Sequence, residues 1–272
     1  MKRREFLGAV AGAAAAWPLS VRAQKPALVG FLQPGSPADS GHYVAAFLAG
    51  LGETGHREGD SFGIEYRWAE GRYEQLPQLA ADLVARGVAV IAAGGPPAVL
   101  AAKSATSTVP IVFISDDVVS QGLVGSLSRP GGNLTGVSVF ETGAIWGKRL
   151  GLLHELIPGA DPIAMLVDPE KGAELATRET VAAAGALGMR ISFVTTATDR
   201  NIEEAFASAS RRGFDAFIFS SQPFFTVRHD AIVALAARYA VPAMYGWPEY
   251  VAAGGLISYG SRLSDAWHQL GV

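Results

Sequence analysis

The chain has 272 residues, 49% of them hydrophobic and 17% charged, with a formal net charge of −3. That length favours two domains, each with a sizeable core, and the balance excludes both a disordered chain and the basic footprint of a nucleic-acid binder. Cysteine is absent, which excludes a disulfide framework, a thiolate nucleophile and Cys-type zinc or iron-sulfur sites.

The first 24 residues read as an export signal, cleaved near residue 24. Lys2-Arg3-Arg4-Glu5-Phe6-Leu7 is a charged opening, Gly8 to Trp17 is a short apolar run, and Ser20 to Gln24 ends in small and polar residues. The paired arginines followed by Phe6-Leu7 resemble a twin-arginine signal. The apolar run falls short of the roughly 20 residues that span a bilayer. Its removal takes the net charge from −3 to −6, and the mature chain is expected to be periplasmic.

Beyond it, strands and helices alternate. Ala27 to Leu32 is a buried strand ending in the loop Gln33-Pro34-Gly35-Ser36-Pro37. Val44, Phe47, Leu48 and Leu51 give a helical stripe that Gly55 can close. Phe62, Ile64, Tyr66 and Trp68 alternate with polar residues, which predicts a strand near a sheet edge. A helix over Tyr73 to Leu83, an apolar strand over Val88 to Ala93, a helix over Ala98 to Ala105 and a strand over Ile111 to Ile114 follow. A short helix is expected around Gly122 to Leu127. The glycine-marked stretch Gly131 to Phe140 then reads as a crossing into a second lobe.

The same alternation restarts there. Helices are expected over Ile145 to Leu156, Leu175 to Leu187, Ile202 to Ser210 and Ile232 to Ala240, with strands over Ile163 to Val167, Ile191 to Val194, Ala216 to Phe219 and Pro242 to Tyr245. A turn over Trp247 to Tyr250 precedes a return crossing at Gly254 to Gly260, and Leu263 to Val272 reads as a helix cut off before any closing signal. The fold class is therefore α/β: two Rossmann-like lobes with parallel sheets joined by crossing strands, and an incomplete C-terminal part. The boundaries are 1–24 signal, 25–137 first lobe, 138–255 second lobe, and 256–272 return to the first.

Parallel sheets bind ligands beyond the carboxyl ends of their strands. That rule selects the loops Gln33 to Ser36, Gly94 to Pro96 and Ser115 to Asp117 in the first lobe, and Asp168-Pro169, Ser220 to Gln222 and Tyr245 to Trp247 in the second. Their glycines and serines suit a carboxylate, an Asp suits an ammonium, and Phe224, Tyr245 or Trp247 could stack on an apolar part. The candidate ligand-binding residues are Gln33, Ser36, Gly94, Gly95, Ser115, Asp117, Ser221, Gln222 and Tyr245, with Phe140 facing the cleft just past the crossing. Asn133 and Thr135 are read as structural, shaping the turn. The five histidines show no metal-ligand spacing, and neither a nucleophile elbow nor a phosphate loop is present. Neither a metal nor another cofactor is expected, and no catalytic residue is assigned.

Several blocks carry a resemblance: Val29-Gly30-Phe31-Leu32, Glu65 to Gly71, Pro110 to Phe113, Arg129-Pro130-Gly131-Gly132-Asn133-Leu134-Thr135-Gly136, and Gly254-Gly255-Leu256-Ile257-Ser258-Tyr259-Gly260. Over essentially its whole length the chain resembles the ABC transporter substrate-binding proteins of the family that includes tryptophan- and phenylalanine-binding lipoproteins. The resemblance implies a type I periplasmic binding protein fold and a small-molecule ligand, an amino acid or aromatic compound, held by hinge closure. It also implies delivery to an ABC permease in the inner membrane. Where members often read Gly-Asp-Pro-Val, this chain has Asp116-Asp117-Val118-Val119, keeping the Asp at Asp117 and losing the Pro. Members usually continue for several dozen residues past the point matching Val272. A monomeric binding protein that is not an enzyme is expected; an exported enzyme using Asp117, or a sensor module on the same cleft, is the alternative.

Overall fold

The computed structural model describes residues 26–116, 118–119, 121–126, 129–139, 143–169, 173–209 and 211–272. The expected export signal, Asp117 and Phe140 lie outside the described residues. Short, fully apolar runs leave no polar face for solvent, so the chain can satisfy them only in sheets covered on both sides. Two such sheets form. The first holds β1 (Ala27–Gln33), β2 (Phe62–Trp68), β3 (Val90–Gly94), β4 (Ile111–Ser115) and β5 (Leu134–Ser138), in the order β2-β1-β3-β4-β5. The second holds β6 (Ile163–Val167), β7 (Ile191–Thr195), β8 (Ala216–Phe219), β9 (Ala243–Tyr245) and β10 (Ile257–Ser258), in the order β10-β9-β8-β6-β7. All pairs are parallel. Read from the other end, the second order repeats the first, strand for strand. β2, the run with a polar face, lies at an edge.

Helices cover both faces. In the first lobe α1 (Pro37–Glu53) packs on one face against Val29 and Phe31, while α2 (Leu76–Ala85) and α3 (Gly95–Ala105) bury Leu83 and Ala98 on the other, against Leu32 and Ile91. Neighbouring strand residues such as Phe31 and Leu32 thus enter different cores, as pleating requires. In the second lobe α4 (Gly143–Leu156) and α5 (Ala173–Leu187) cover one face, and α6 (Asp199–Ser208) and α8 (His229–Tyr239) cover the other. The short helices α7 (Pro223–Thr226) and α9 (Pro248–Ala252) follow β8 and β9.

The last helix, α10 (Leu263–Gly271), returns to the first lobe and packs on α1. Glycine makes this approach possible: a Cβ on Gly50 would lie 3.1 Å from the Gly271 Cα and would overlap the His268 carbonyl. The buried face of α1 differs from the expected one. Its buried residues are Ser40, Tyr43, Phe47 and Gly50, about one position off the stripe that the sequence predicts.

Other differences have local causes. Over Gly122 to Ser126 the chain forms turns instead of the expected helix. Gly122 takes a φ of +66°, and the amides of Leu123 and Val124 both donate back to the Val118 carbonyl. Pro248 at a helix start converts the expected turn after Trp247 into α9. Ile257 and Ser258 pair with β9, so the chain leaves the second sheet after Ser258 and not at Leu256. β5 runs through Ser138, paired with Ser115. The Asn133 amide donates to the Thr106 and Val109 carbonyls at 3.3 and 2.7 Å, tying the turn before β5 to the end of α3. No helix among the described residues is long and apolar enough to cross a membrane.

Candidate functional site

In an order of 2-1-3-4-5, the helices after β1 and β3 leave on opposite faces, and the crevice between those strand ends is where a ligand can reach the sheet. The second lobe places the same switch between β6 and β8. Gln33 ends β1 and Gly94 ends β3, while Asp168 follows β6 and Ser220 follows β8. These ends face one cleft of about 910 Å³, counted with its open mouth.

The cleft draws residues from both lobes. Gln33, Gly94, Gly95 and Ser115 line it from the first, and Ser221 and Gln222 from the second. Two other expected residues lie elsewhere. Ser36 caps α1, with its hydroxyl accepting from the Asp39 amide at 3.3 Å. Tyr245 is fully buried and stacks on Tyr250 at 4.4 Å between ring centres. Strand pleating sends it into the helix-covered core, and burial there raises its phenol well above the ordinary range.

Residues that the candidate set omits complete the walls. Tyr43 comes from α1, Tyr73 from the turn before α2, Trp247 from the start of α9 and Trp267 from α10. Asp116 and Asp168 supply one carboxylate from each lobe. Among the described residues lining the cleft, none is Lys, Arg or His. The loops named by the strand-end rule contain both acids and Trp247, which the sequence also offers for stacking; Tyr43 and Trp267 lie in expected helices and carry no site signal in the sequence.

Neighbouring contacts fix this lining. The Gln222 side-chain oxygen accepts from the Asp168 amide at 3.0 Å and from the Ser220 hydroxyl at 2.7 Å, locking the loops after β6 and β8 together. A Cβ on Gly94 would stand 2.7 Å from Trp267 Cζ2 and 2.8 Å from Gln33 Oε1, so only glycine leaves both side chains at the cleft base. Behind the second wall, Arg149 is fully buried, lies 4.6 Å over the Trp146 ring and donates to the Tyr259 carbonyl at 2.8 Å. It fastens the segment that leaves β10.

The lobes also touch each other. His42 Nε2 on α1 lies 3.6 Å from Glu249 Oε1 on α9. Burial first, then the Glu249 charge, hold the Tyr43 phenol well above its ordinary range, which keeps it neutral. A Cβ on Gly35 would come within 2.8 Å of Val227, and one on Gly95 within 2.9 Å of Pro223 Cγ. Among the described residues no cluster of acidic or histidine side chains could hold a metal ion.

Two doubly wound lobes that meet over a cleft at their switch points define a type I periplasmic binding protein fold. The chain belongs to the ABC transporter substrate binding protein family, whose profile matches residues 38–272. It is 31% identical over 121 residues to a tyrosine-binding protein of Clostridioides difficile, a stretch covering 44% of this chain and 34% of that relative. The comparison therefore spans about a third of the relative's length. A Streptococcus pneumoniae ABC domain solved with L-Trp superposes with a TM-score of 0.83 at 23% identity, over 91% of this chain and 83% of the other. A solute-binding protein of an R. palustris ABC transporter, solved with benzoate, gives 0.62 at 15% identity, over 85% and 66%.

Proposed function

We propose that this protein is the exported solute-binding component of an ABC importer and that it holds an aromatic amino acid or a close analogue between its lobes. The observation that carries the reading is the cleft's chemistry: one carboxylate from each lobe, four aromatic walls and no basic side chain among the described lining residues. An ammonium group suits a lining with two carboxylates, and an aromatic side chain fits the apolar walls. The C. difficile relative and the S. pneumoniae domain, whose names give tyrosine and L-Trp, support the same class. A simple aromatic acid such as benzoate fits less well, because it brings a negative charge to the lining that holds Asp116 and Asp168 and has no ammonium group to offset it.

Ligand bridging both lobes favours the closed arrangement and presents one surface to the permease in the inner membrane. The charged, apolar and small-residue blocks of positions 1–24 support export to the periplasm, and Arg3-Arg4 followed by Phe6-Leu7 supports the twin-arginine route; a monomer is proposed. Gln33, Gly94, Gly95, Ser115, Ser221 and Gln222 are proposed as ligand contacts from their places in the cleft. Asp117 and Phe140 are proposed from the sequence.

Thermal melts with L-tyrosine, L-tryptophan and benzoate test this. A ligand at 100 times its Kd adds roughly 2.7 kcal/mol to the native state, a rise of several degrees. L-Tyrosine or L-tryptophan is expected to raise the melting temperature and benzoate to leave it unchanged. A shift with benzoate alone overturns the amino-acid assignment.

A further inference from the structure

Two residues that line the cleft, one from each lobe, carry a buried N–H donor without a partner among the described residues. Gln33 is 6% exposed and its Nε2 has no hydrogen-bond partner among the described residues; Trp247 is 4% exposed and its Nε1 has none either. A buried, unpaired donor is destabilising, so two in one cleft are a marked expense unless something bound there satisfies them. Both side chains are held in place. Gln33 is wedged against the Gly94 backbone next to Trp267, and Trp247 is packed into the second lobe's core at the start of α9. The Tyr43 hydroxyl is buried too but lies beside the Glu249 carboxylate, and the unpaired hydroxyl of Tyr245 lies away from the cleft lining.

We infer that Gln33 and Trp247 are the ligand's oxygen-recognition residues, one donor from each lobe, and that they select for a carboxylate or carbonyl acceptor on a ligand whose ammonium goes to the acids. This rests on the proposed function and assigns residues within it. Each lobe then offers one neutral donor and one carboxylate: Gln33 with Asp116, and Trp247 with Asp168. A zwitterion can therefore engage both lobes through both of its charged ends. Neutral donors suit this task, because they bind an anion that already carries its own cation and discriminate against a ligand lacking the oxygen by leaving buried N–H groups unpaired.

Calorimetric titration with L-tryptophan and with tryptamine, the same molecule without its carboxylate, tests the assignment on the wild-type chain, Trp247→Phe and Gln33→Leu. Trp247→Phe keeps an aromatic ring and removes only the N–H and part of its surface. Each variant is expected to weaken L-tryptophan by about 10-fold or more while tryptamine stays within about twofold of wild type. Where tryptamine binds too weakly to titrate, the L-tryptophan constants beside unchanged ligand-free melts carry the result. Unchanged L-tryptophan constants, or equal losses for both ligands, overturn the inference. Failure of the wild-type chain to bind any amino acid instead overturns the functional reading beneath it.

Discussion

Gly95→Ala is expected to weaken amino-acid binding by about 10- to 100-fold, equivalent to about 1.4–2.8 kcal/mol. Gly95 opens α3 at the cleft with a φ of +77°, and its Cβ would stand 2.9 Å from Pro223 Cγ on the opposite lobe. A proline ring cannot swing aside, so the lobes would have to part. Ligand affinity falls because the contacts from the two lobes can no longer be made together. Two effects are mixed in this substitution, and a second variant separates them. Pro223→Ala removes Cγ and leaves only Cβ, at 4.0 Å, so the double variant should regain most of the affinity. The backbone cost of a non-glycine residue at positive φ, about 1 kcal/mol, should persist in the ligand-free melts of both variants. Titration of the single and double variants checks both parts; a single variant that binds like wild type would mean that the lobes need not meet here.

Trp267→Ala is expected to be the most damaging single truncation for stability, at about 3–5 kcal/mol. The side chain is 2% exposed, with its ring centre 4.9 Å from Phe31 and 6.1 Å from Phe47. It is the main plug by which α10 closes the first lobe's outer core. With a urea slope of roughly 2–3 kcal/mol/M for a chain of this size, the midpoint should fall by about 1 M or more. Since the same ring lines the cleft, ligand affinity should fall with it. A midpoint within about 0.3 M of wild type would show that α10 contributes little to the first lobe.

Much of this arrangement is legible in the sequence because local chemistry decides it. Apolar runs that stop at glycine, serine or proline mark the strands, and the strand-end rule picks out the loops of Gln33, Gly94, Ser115, Asp168 and Ser220 without reference to any motif. Ser36 shows where that rule overreaches. Ser36-Pro37-Ala38-Asp39 places a hydroxyl, a proline and an acid at the spacing of a helix start, and the hydroxyl is used as a cap. Tyr245 sits at a strand end too, but the alternation Met244-Tyr245 sends the two side chains into different cores.

Long-range packing hides the rest. Tyr43 and Trp267 lie in expected helices, Tyr43 just beside the expected stripe, and only the return of α10 onto α1 brings both to the cleft. The glycines that allow it, Gly50 and Gly271, are far apart in the chain and carry no turn signal. The same holds for Arg149, whose role depends on a carbonyl 110 residues away.

Calorimetric titration of the purified protein with L-tryptophan and L-tyrosine, followed by recovery of the ligand, is the most direct measurement. Saturable binding of at least one of them at a single site is expected, with the ligand recovered unchanged and the heat lost in Asp168→Ala. No heat with either amino acid, or recovery of a converted product, would contradict a solute-binding role for this cleft.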